Sequence, residues 1–370
     1  MKKGILYISP NFNLACGVSK SVFTLLTSEE LKKEFNLHFI TNGGDALHKL
    51  NKAGVNYSQF NFRTDKFFHF DLHRNLKWLK KYCKETEIDI IHSHHRYPEY
   101  LSNSIKKSLG IKTVVTVNNF VTGFKRFSYK SDFIIAISSS VKNHLNNCFG
   151  INLEKVAVLY NCVNTLYTAE KKREEIKSFL GIPQDHFVLL FAGRMVLEKG
   201  IKTLIESFNL LTSDPGNFFL VMVGSDESSK NLKPFRSNSD KIVLLPAKDD
   251  LREFYEVADV VILPSLKEGL GYTMLESGYF KKPFIGSRTG GISEFIEDGV
   301  NGFLFEPGNA TELAKKIKYV LEHSVEAKIS ALKLHEKVLQ LCTCKEYFKK
   351  LTNIYQSLFE NDFMTNKVLN

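Results

Sequence analysis

The 370 residues of this chain, 43% apolar and 24% charged, suffice for two ordinary globular domains and exclude a disordered or low-complexity protein. No apolar run approaches the roughly 18 residues that a membrane-spanning helix needs. The net charge of +10 sits wholly in the first half: Met1–Thr165 carries 23 Lys and Arg against 12 Asp and Glu, whereas the remainder is balanced, 27 against 28.

Gly4–Ser9 reads as a first strand rather than a signal peptide, because no small-residue cleavage pattern follows it. The loop Pro10–Gly17 leads into a helix over Val18–Leu26, and a glycine at that place, Gly17, lets a ligand approach the helix N-terminus. Leu37–Thr41 and Val55–Phe62 read as the next strands. Leu72–Cys83 has helical spacing, with Leu72, Leu76, Leu79 and Cys83 on one face. The strand Ile88–Ile91 runs into His92-Ser93-His94-His95-Arg96. Ligand groups of open α/β sheets collect at such carboxyl ends. Three histidines there can contact sugar hydroxyls or a diphosphate. A buried or capping histidine is the plain alternative, and a zinc centre is a further one, with no cysteine or carboxylate close in sequence to complete it. Thr113–Val117 and Phe133–Ile137 are two more buried strands. Between them, Phe120, Phe124, Phe127 and Tyr129 mix with Lys125, Arg126 and Lys130, a composition that suits a lipid headgroup, sugar stacking or ordinary packing under a loop. Ser138-Ser139-Ser140 opens a helix as a cap, and Val156–Tyr160 ends the first half.

Leu166–Arg173 is polar and reads as a linker. A helix over Glu174–Leu180 stops at Gly181-Ile182-Pro183, and Phe187–Ala192 restarts the strand–helix alternation. Gly193-Arg194-Met195-Val196-Leu197-Glu198-Lys199-Gly200 occupies a strand-to-helix loop before the helix Ile201–Leu211. Two cations beside a helix N-terminus suit a polyanion, with a salt bridge to Glu198 as the structural alternative for either. Strands follow at Phe218–Val223 and Ile242–Leu245, then a short helix over Asp249–Val257. The buried strand Val260–Leu263 enters the loop Pro264–Gly271 and a helix from Thr273 to Phe280, again an anion-binding geometry. Glu268 and Glu276 flank it; carboxylates repel phosphate but accept hydrogen bonds from hydroxyls. A phosphate between two hydroxyl-bearing rings describes a nucleotide sugar. Thr273-x-x-Glu276 also spells a capping box, which competes for the same carboxylate. The strand Phe284–Gly286, the turn Thr289–Glu294, the strand at Asn301–Phe305 and helical sequence from Thr311 complete the chain. Six cysteines without C-x-x-C spacing imply reduced thiols and a cytoplasmic location, and Cys342-Thr343-Cys344 is too closely spaced for an ordinary zinc pair.

Glu268-Gly-Leu-Gly-Tyr-Thr-Met-Leu-Glu276 resembles the E-x7-E signature of retaining glycosyltransferases of family 4, and Gly193–Gly200 matches that family's G-R-x4-K-G. The resemblance implies an α/β protein of GT-B fold: two Rossmann-like domains, 1–165 on the acceptor side and 166–345 binding the nucleotide sugar, facing across a cleft, with 346–370 a helix crossing back to the first. It implies a retaining, metal-independent transfer of a hexose or N-acetylhexosamine, with UDP as the carrier, to a saccharide or polyprenyl-linked glycan of a surface polysaccharide, and no cofactor besides the donor. Arg194 and Lys199 would hold the diphosphate, Glu268 the sugar hydroxyls and His94 the transferred sugar, these four being the catalytic set; His92 would be structural. Gly17, Gly193, Gly224, Ala247, Gly269, Leu270, Gly271, Tyr272, Thr273 and Glu276 would complete the donor site. Cys16 stands where the family has a first glycine, and Cys162 and Asn164 depart from its N-G-V-D. Thr289-Gly-Gly-x-x-Glu294 resembles a family turn behind the sugar pocket. The basic first half adds a peripheral contact with an anionic membrane at the inner face of the cell, with no nucleic-acid partner. A sugar-nucleotide epimerase of the same fold and a non-catalytic nucleotide-sugar-binding subunit are the alternatives.

Overall fold

The computed structural model describes residues 2–62, 68–163, 171–212, 217–225 and 240–360; most of the expected linker, Leu166–Glu170, lies outside them. The chain forms two compact units, Met1–Tyr160 with Lys345–Asn370, and Asn161–Cys344.

The first unit is built on seven parallel strands: β1 (Lys3–Ile8), β2 (Phe35–Thr41), β3 (Ser58–Gln59), β4 (Ile88–Ser93), β5 (Lys112–Val117), β6 (Phe133–Ala136) and β7 (Val156–Val158), in the order β3-β2-β1-β4-β5-β6-β7. Ile5, Leu6, Tyr7 and Ile8 are all fully buried, as expected of a central parallel strand covered on both faces. Ser28 and Ser138 cap their helices by accepting the Leu31 and Val141 amides. The helix Cys344–Glu360 puts Tyr347, Leu351, Ile354, Tyr355 and Leu358 in the interior, where the Tyr355 hydroxyl donates to that of Tyr7 at 3.0 Å.

The second unit has six parallel strands: β8 (Phe187–Ala192), β9 (Phe218–Val223), β10 (Ile242–Leu245), β11 (Val260–Leu263), β12 (Phe284–Ser287) and β13 (Phe303–Phe305), ordered β10-β9-β8-β11-β12-β13. The switch point lies between β8 and β11, where chain direction across the sheet reverses and ligands collect. Leu189, Phe191, Leu204, Phe208, Ile262 and Phe305 form the core on one side.

Besides shifts of a few residues at element ends, as where the helix expected from Asp249 begins at Arg252 and the strand expected to Tyr160 ends at Val158, two sequence expectations change. The strand over Val55–Phe62 shrinks to Ser58–Gln59, because the Phe62 amide turns back to the Phe60 carbonyl and to the Asn42 side chain instead of continuing the ladder; Phe60 then stacks on Trp78, ring centres 3.9 Å apart. The turn expected at Thr289–Glu294 is a helix, Gly290–Phe295. Its Gly291 amide donates to the Glu268 carbonyl at 3.1 Å, and a Cβ there would stand 2.2 Å from the Gly269 carbonyl oxygen. Helices at Glu29–Glu34, Leu47–Lys52 and Arg96–Leu109 add to those expected from the sequence.

Candidate active site

In the second unit the motif residues gather at the carboxyl edge of the sheet. Gly193 and the half-buried Arg194 follow β8, Gly224 follows β9, Ala247 lies just beyond β10, and Glu268–Gly271 follow β11. Backbone hydrogen bonds tie these ends together: the Gly193 amide to Val223 (2.9 Å), and the Gly224 amide to Leu245 (3.1 Å). A Cβ on Gly224 would lie 1.7 Å from the Gly193 oxygen, so the two chains meet as bare backbone.

Two loops then interlock. The Leu266 amide donates to the Glu198 carbonyl at 2.8 Å. Gly200, at φ +71, sits so close that a Cβ would be 1.8 Å from the Pro264 oxygen; only glycine meets both demands. The interlock brings together the Lys199 ammonium and the Glu268 carboxylate, 2.5 Å apart with side chains only 21% and 12% exposed. Ser265 donates to the same carboxylate oxygen at 3.1 Å. Lys199 therefore pairs with Glu268, not with the adjacent Glu198. An ammonium has three donors, and this pair holds one of them in place.

Gly271, at φ +96, starts the helix Tyr272–Tyr279 with no side-chain cap. The capping box does not form, because both its residues are engaged elsewhere. Thr273 donates to the Ala192 carbonyl at 2.8 Å, tying this helix to the end of β8. Glu276 accepts from the buried Tyr255 hydroxyl at 2.8 Å, and the Tyr255 ring stacks on Phe280 at 5.1 Å. Leu270 is 1% exposed and packs inward, so what it presents to a ligand is its backbone. Sequence reasoning misses Ser265 and Tyr255. The S-x-x-E spacing of Ser265 and Glu268 is a usable signal; nothing local links Tyr255 to a residue twenty-one positions on.

In the first unit, Gly17 opens the helix Gly17–Leu26 behind Cys16, and His94 follows β4. His92 is fully buried, with Nδ1 at 2.7 Å from the Tyr355 hydroxyl and Nε2 at 2.7 Å from that of Thr116. Since Tyr355 spends its proton on Tyr7, Nδ1 of His92 donates and Nε2 accepts. With both nitrogens satisfied by hydroxyls, His92 is a structural residue and not a zinc ligand. His94 stacks on it at 4.6 Å. It is 3% exposed, and neither ring nitrogen has a hydrogen-bond partner among the described residues. A buried ring with two unspent polar atoms is costly unless it serves a ligand. Burial lowers the pKa of His92 to about 3 and of His95 to about 4; burial and the neighbouring His92 and His95 hold His94 well below its ordinary value.

These three histidines protonate in the unfolded chain near pH 6.5 but resist protonation when folded, so the unfolded state binds more protons below that pH. Stability is expected to fall from about pH 6.5 toward pH 4 by about 1.4 kcal/mol per pH unit for each histidine that titrates. Urea denaturation of the wild type and His92→Gln across this range checks it; a slope unchanged by the substitution refutes His92's share.

Residues 172–337 match the family model of glycosyl transferases group 1, and residues 17–166 that of glycosyltransferase family 4. An uncharacterized glycosyltransferase of Methanocaldococcus jannaschii is 30% identical over 255 residues, 64% of this chain and 67% of that protein. The N,N'-diacetylbacillosaminyl-diphospho-undecaprenol alpha-1,3-N-acetylgalactosaminyltransferase of Campylobacter jejuni is 26% identical over 83% of this chain and 89% of its own length. Among solved structures, Anabaena HepE in complex with UDP-glucose superposes with a TM-score of 0.84 at 17% identity, covering 96% of this chain and 99% of that one.

Proposed function

This chain belongs to glycosyltransferase family 4 and is a glycosyltransferase of GT-B fold, and we propose that it transfers a hexose or N-acetylhexosamine from a UDP-sugar, with retention and without a metal, to a saccharide or lipid-linked glycan. The observation that carries this reading is the Lys199–Glu268 pair, which joins the two motif loops at the sheet's switch point. In the proposal Arg194 and Lys199 hold the diphosphate and stabilise its charge as the sugar departs. Glu268, fixed by Lys199 and Ser265, accepts from hydroxyls of the transferred sugar, and Glu276, fixed by Tyr255, accepts from the ribose. The backbone of Gly193, Gly224 and Ala247 borders the nucleotide. Gly17 admits the phosphates at its helix N-terminus, and neutral His94 orients the sugar with its unspent nitrogens.

Glu268 is already committed to a cation and a hydroxyl, so it serves as a positioning group rather than a nucleophile. Retention then follows from a front-face reaction in which the departing phosphate oxygen takes the acceptor's proton. The name of the Campylobacter jejuni relative, with its undecaprenol-linked acceptor, supports a lipid-linked glycan, and the UDP-glucose complex of HepE supports a uridine donor.

A thermal-shift panel of UDP-, GDP- and ADP-sugars in chelator-treated buffer tests the donor. A ligand at a hundred times its dissociation constant adds about 2.7 kcal/mol of stability, and a UDP-sugar should give the largest rise. Incubation with that donor and a glycan acceptor should yield an α-linked product from an α-linked donor. Inversion, a strict metal requirement, or epimerisation of the donor alone would each overturn the reading.

A further inference from the structure

The segment between β5 and β6 is built in a way that the transfer reaction does not explain. Both of its ends are clamped by the first turn of the helix Arg96–Leu109. Arg96 donates to the Thr122 and Gly123 carbonyls, 3.0 Å each. Glu99, fully buried, accepts the amides of Tyr129 (2.8 Å), Lys130 (2.7 Å) and Ser131 (3.2 Å). A buried carboxylate held by three amides makes a firm anchor.

Between the clamps the chain is left outside. Residues 122–127 are exposed without interruption. A tight turn, with the Phe127 amide on the Phe124 carbonyl at 3.0 Å, presents Phe124 at 76% and Phe127 at 50% exposure. Phe124 holds a left-handed backbone, φ 50, uncommon for a bulky residue and maintained only where surrounding contacts impose it. Residues 118–131 contain Lys125, Arg126 and Lys130 and no carboxylate.

Phe124 lies under the Arg96 guanidinium at 5.9 Å and Phe127 meets the Tyr100 ring edge-on at 5.8 Å, and the faces they leave to solvent, set among cations, suit a partner that is apolar and anionic at once. A neutral saccharide lacks the negative charge, and a polyprenyl-linked glycan, apolar in its tail and anionic in its diphosphate, presents both only from within a membrane. A specific protein interface needs roughly 1,000 Å² or more, beyond what one six-residue turn supplies. The interfacial layer of an anionic bilayer meets both needs, because aromatic rings settle there and lipid phosphates attract Lys and Arg. We propose that the turn 122–127 docks the first unit onto an anionic lipid surface, with Phe124 and Phe127 entering the interface and Lys125, Arg126 and Lys130 held against lipid phosphates.

Flotation of the full chain with vesicles tests this without turnover, so the result stands apart from the donor chemistry. The chain should bind phosphatidylglycerol-containing phosphatidylcholine vesicles and leave pure phosphatidylcholine ones largely unbound. Lys125→Glu with Arg126→Glu, and separately Phe124→Ser with Phe127→Ser, should each weaken partitioning about tenfold or more, with melting midpoints like the wild type's. In Phe124→Trp, anionic vesicles should shift the added emission to the blue. The proposal fails if the wild type does not float, if it prefers neither vesicle, if the folded variants float as well as the wild type, or if the emission added by Phe124→Trp does not move. Loss of turnover with a soluble saccharide in the Phe→Ser pair, without vesicle binding by the wild type, would assign the turn to the acceptor instead.

Discussion

Lys199→Met is expected to lower kcat by about 10²–10³-fold, the usual cost of removing one preorganised donor from developing charge. Methionine keeps the length and apolar stem of lysine, so packing between the two motif loops changes little. What disappears is the ammonium 2.5 Å from Glu268. On the proposed mechanism its larger role is in the transition state, when the diphosphate gains charge, so kcat falls more than donor affinity does. Steady-state kinetics with the donor varied measures both. Glu268→Gln retains shape and the Ser265 contact but loses the charge, and His94→Ala removes the proposed sugar contact; each should also slow turnover. An unchanged kcat in Lys199→Met would detach the diphosphate from this loop, and unchanged turnover in the other two would remove Glu268 and His94 from the site.

Gly200→Ala should destabilise the second unit by at least about 3 kcal/mol, the sum of a left-handed alanine and a backbone collision. Gly181 provides the control. It has nearly the same backbone, φ +70 against +71, but nothing lies within 4 Å of its would-be Cβ, whereas that of Gly200 would sit 1.8 Å from the Pro264 carbonyl oxygen. Gly181→Ala should therefore cost only about 1–2 kcal/mol, the conformational part alone. Because Pro264 is backbone-fixed at the end of β11, relief in Gly200→Ala must come from separating the loops that pair Lys199 with Glu268. Donor binding should weaken along with stability in that variant and not in the control. Chemical denaturation and a donor titration read the two effects; equal losses in both variants would show that the interlock contributes nothing.

Where the loops lie was legible because their signals are local. Apolar runs such as Val260–Leu263 announce buried strands over four residues, and the glycines after them mark turns of unusual backbone. The alternation of strands and helices gave two Rossmann-like sheets, and the spacing of Arg194, Lys199, Glu268 and Glu276 gave the family. Less legible was any segment whose ladder depends on a neighbour's side chain, as at Val55–Phe62, where Asn42 captures the Phe62 amide.

The places of most strands and of the two motif loops were thus determined by the sequence alone, since each is written within a dozen consecutive residues, and the two motifs together gave the class of reaction. Partner choice was decided only by the tertiary structure. Lys199 meets Glu268 across 69 positions, Thr273 meets Ala192 across 81, and Glu276 meets Tyr255 across 21, in place of the salt bridge to Glu198 and the capping box that local spacing equally allows. For the first two pairs the physical reason is the strand order: β8 and β11 are hydrogen-bonded neighbours although two strands separate them in the chain, so their carboxyl ends, and the loops that leave them, are forced side by side.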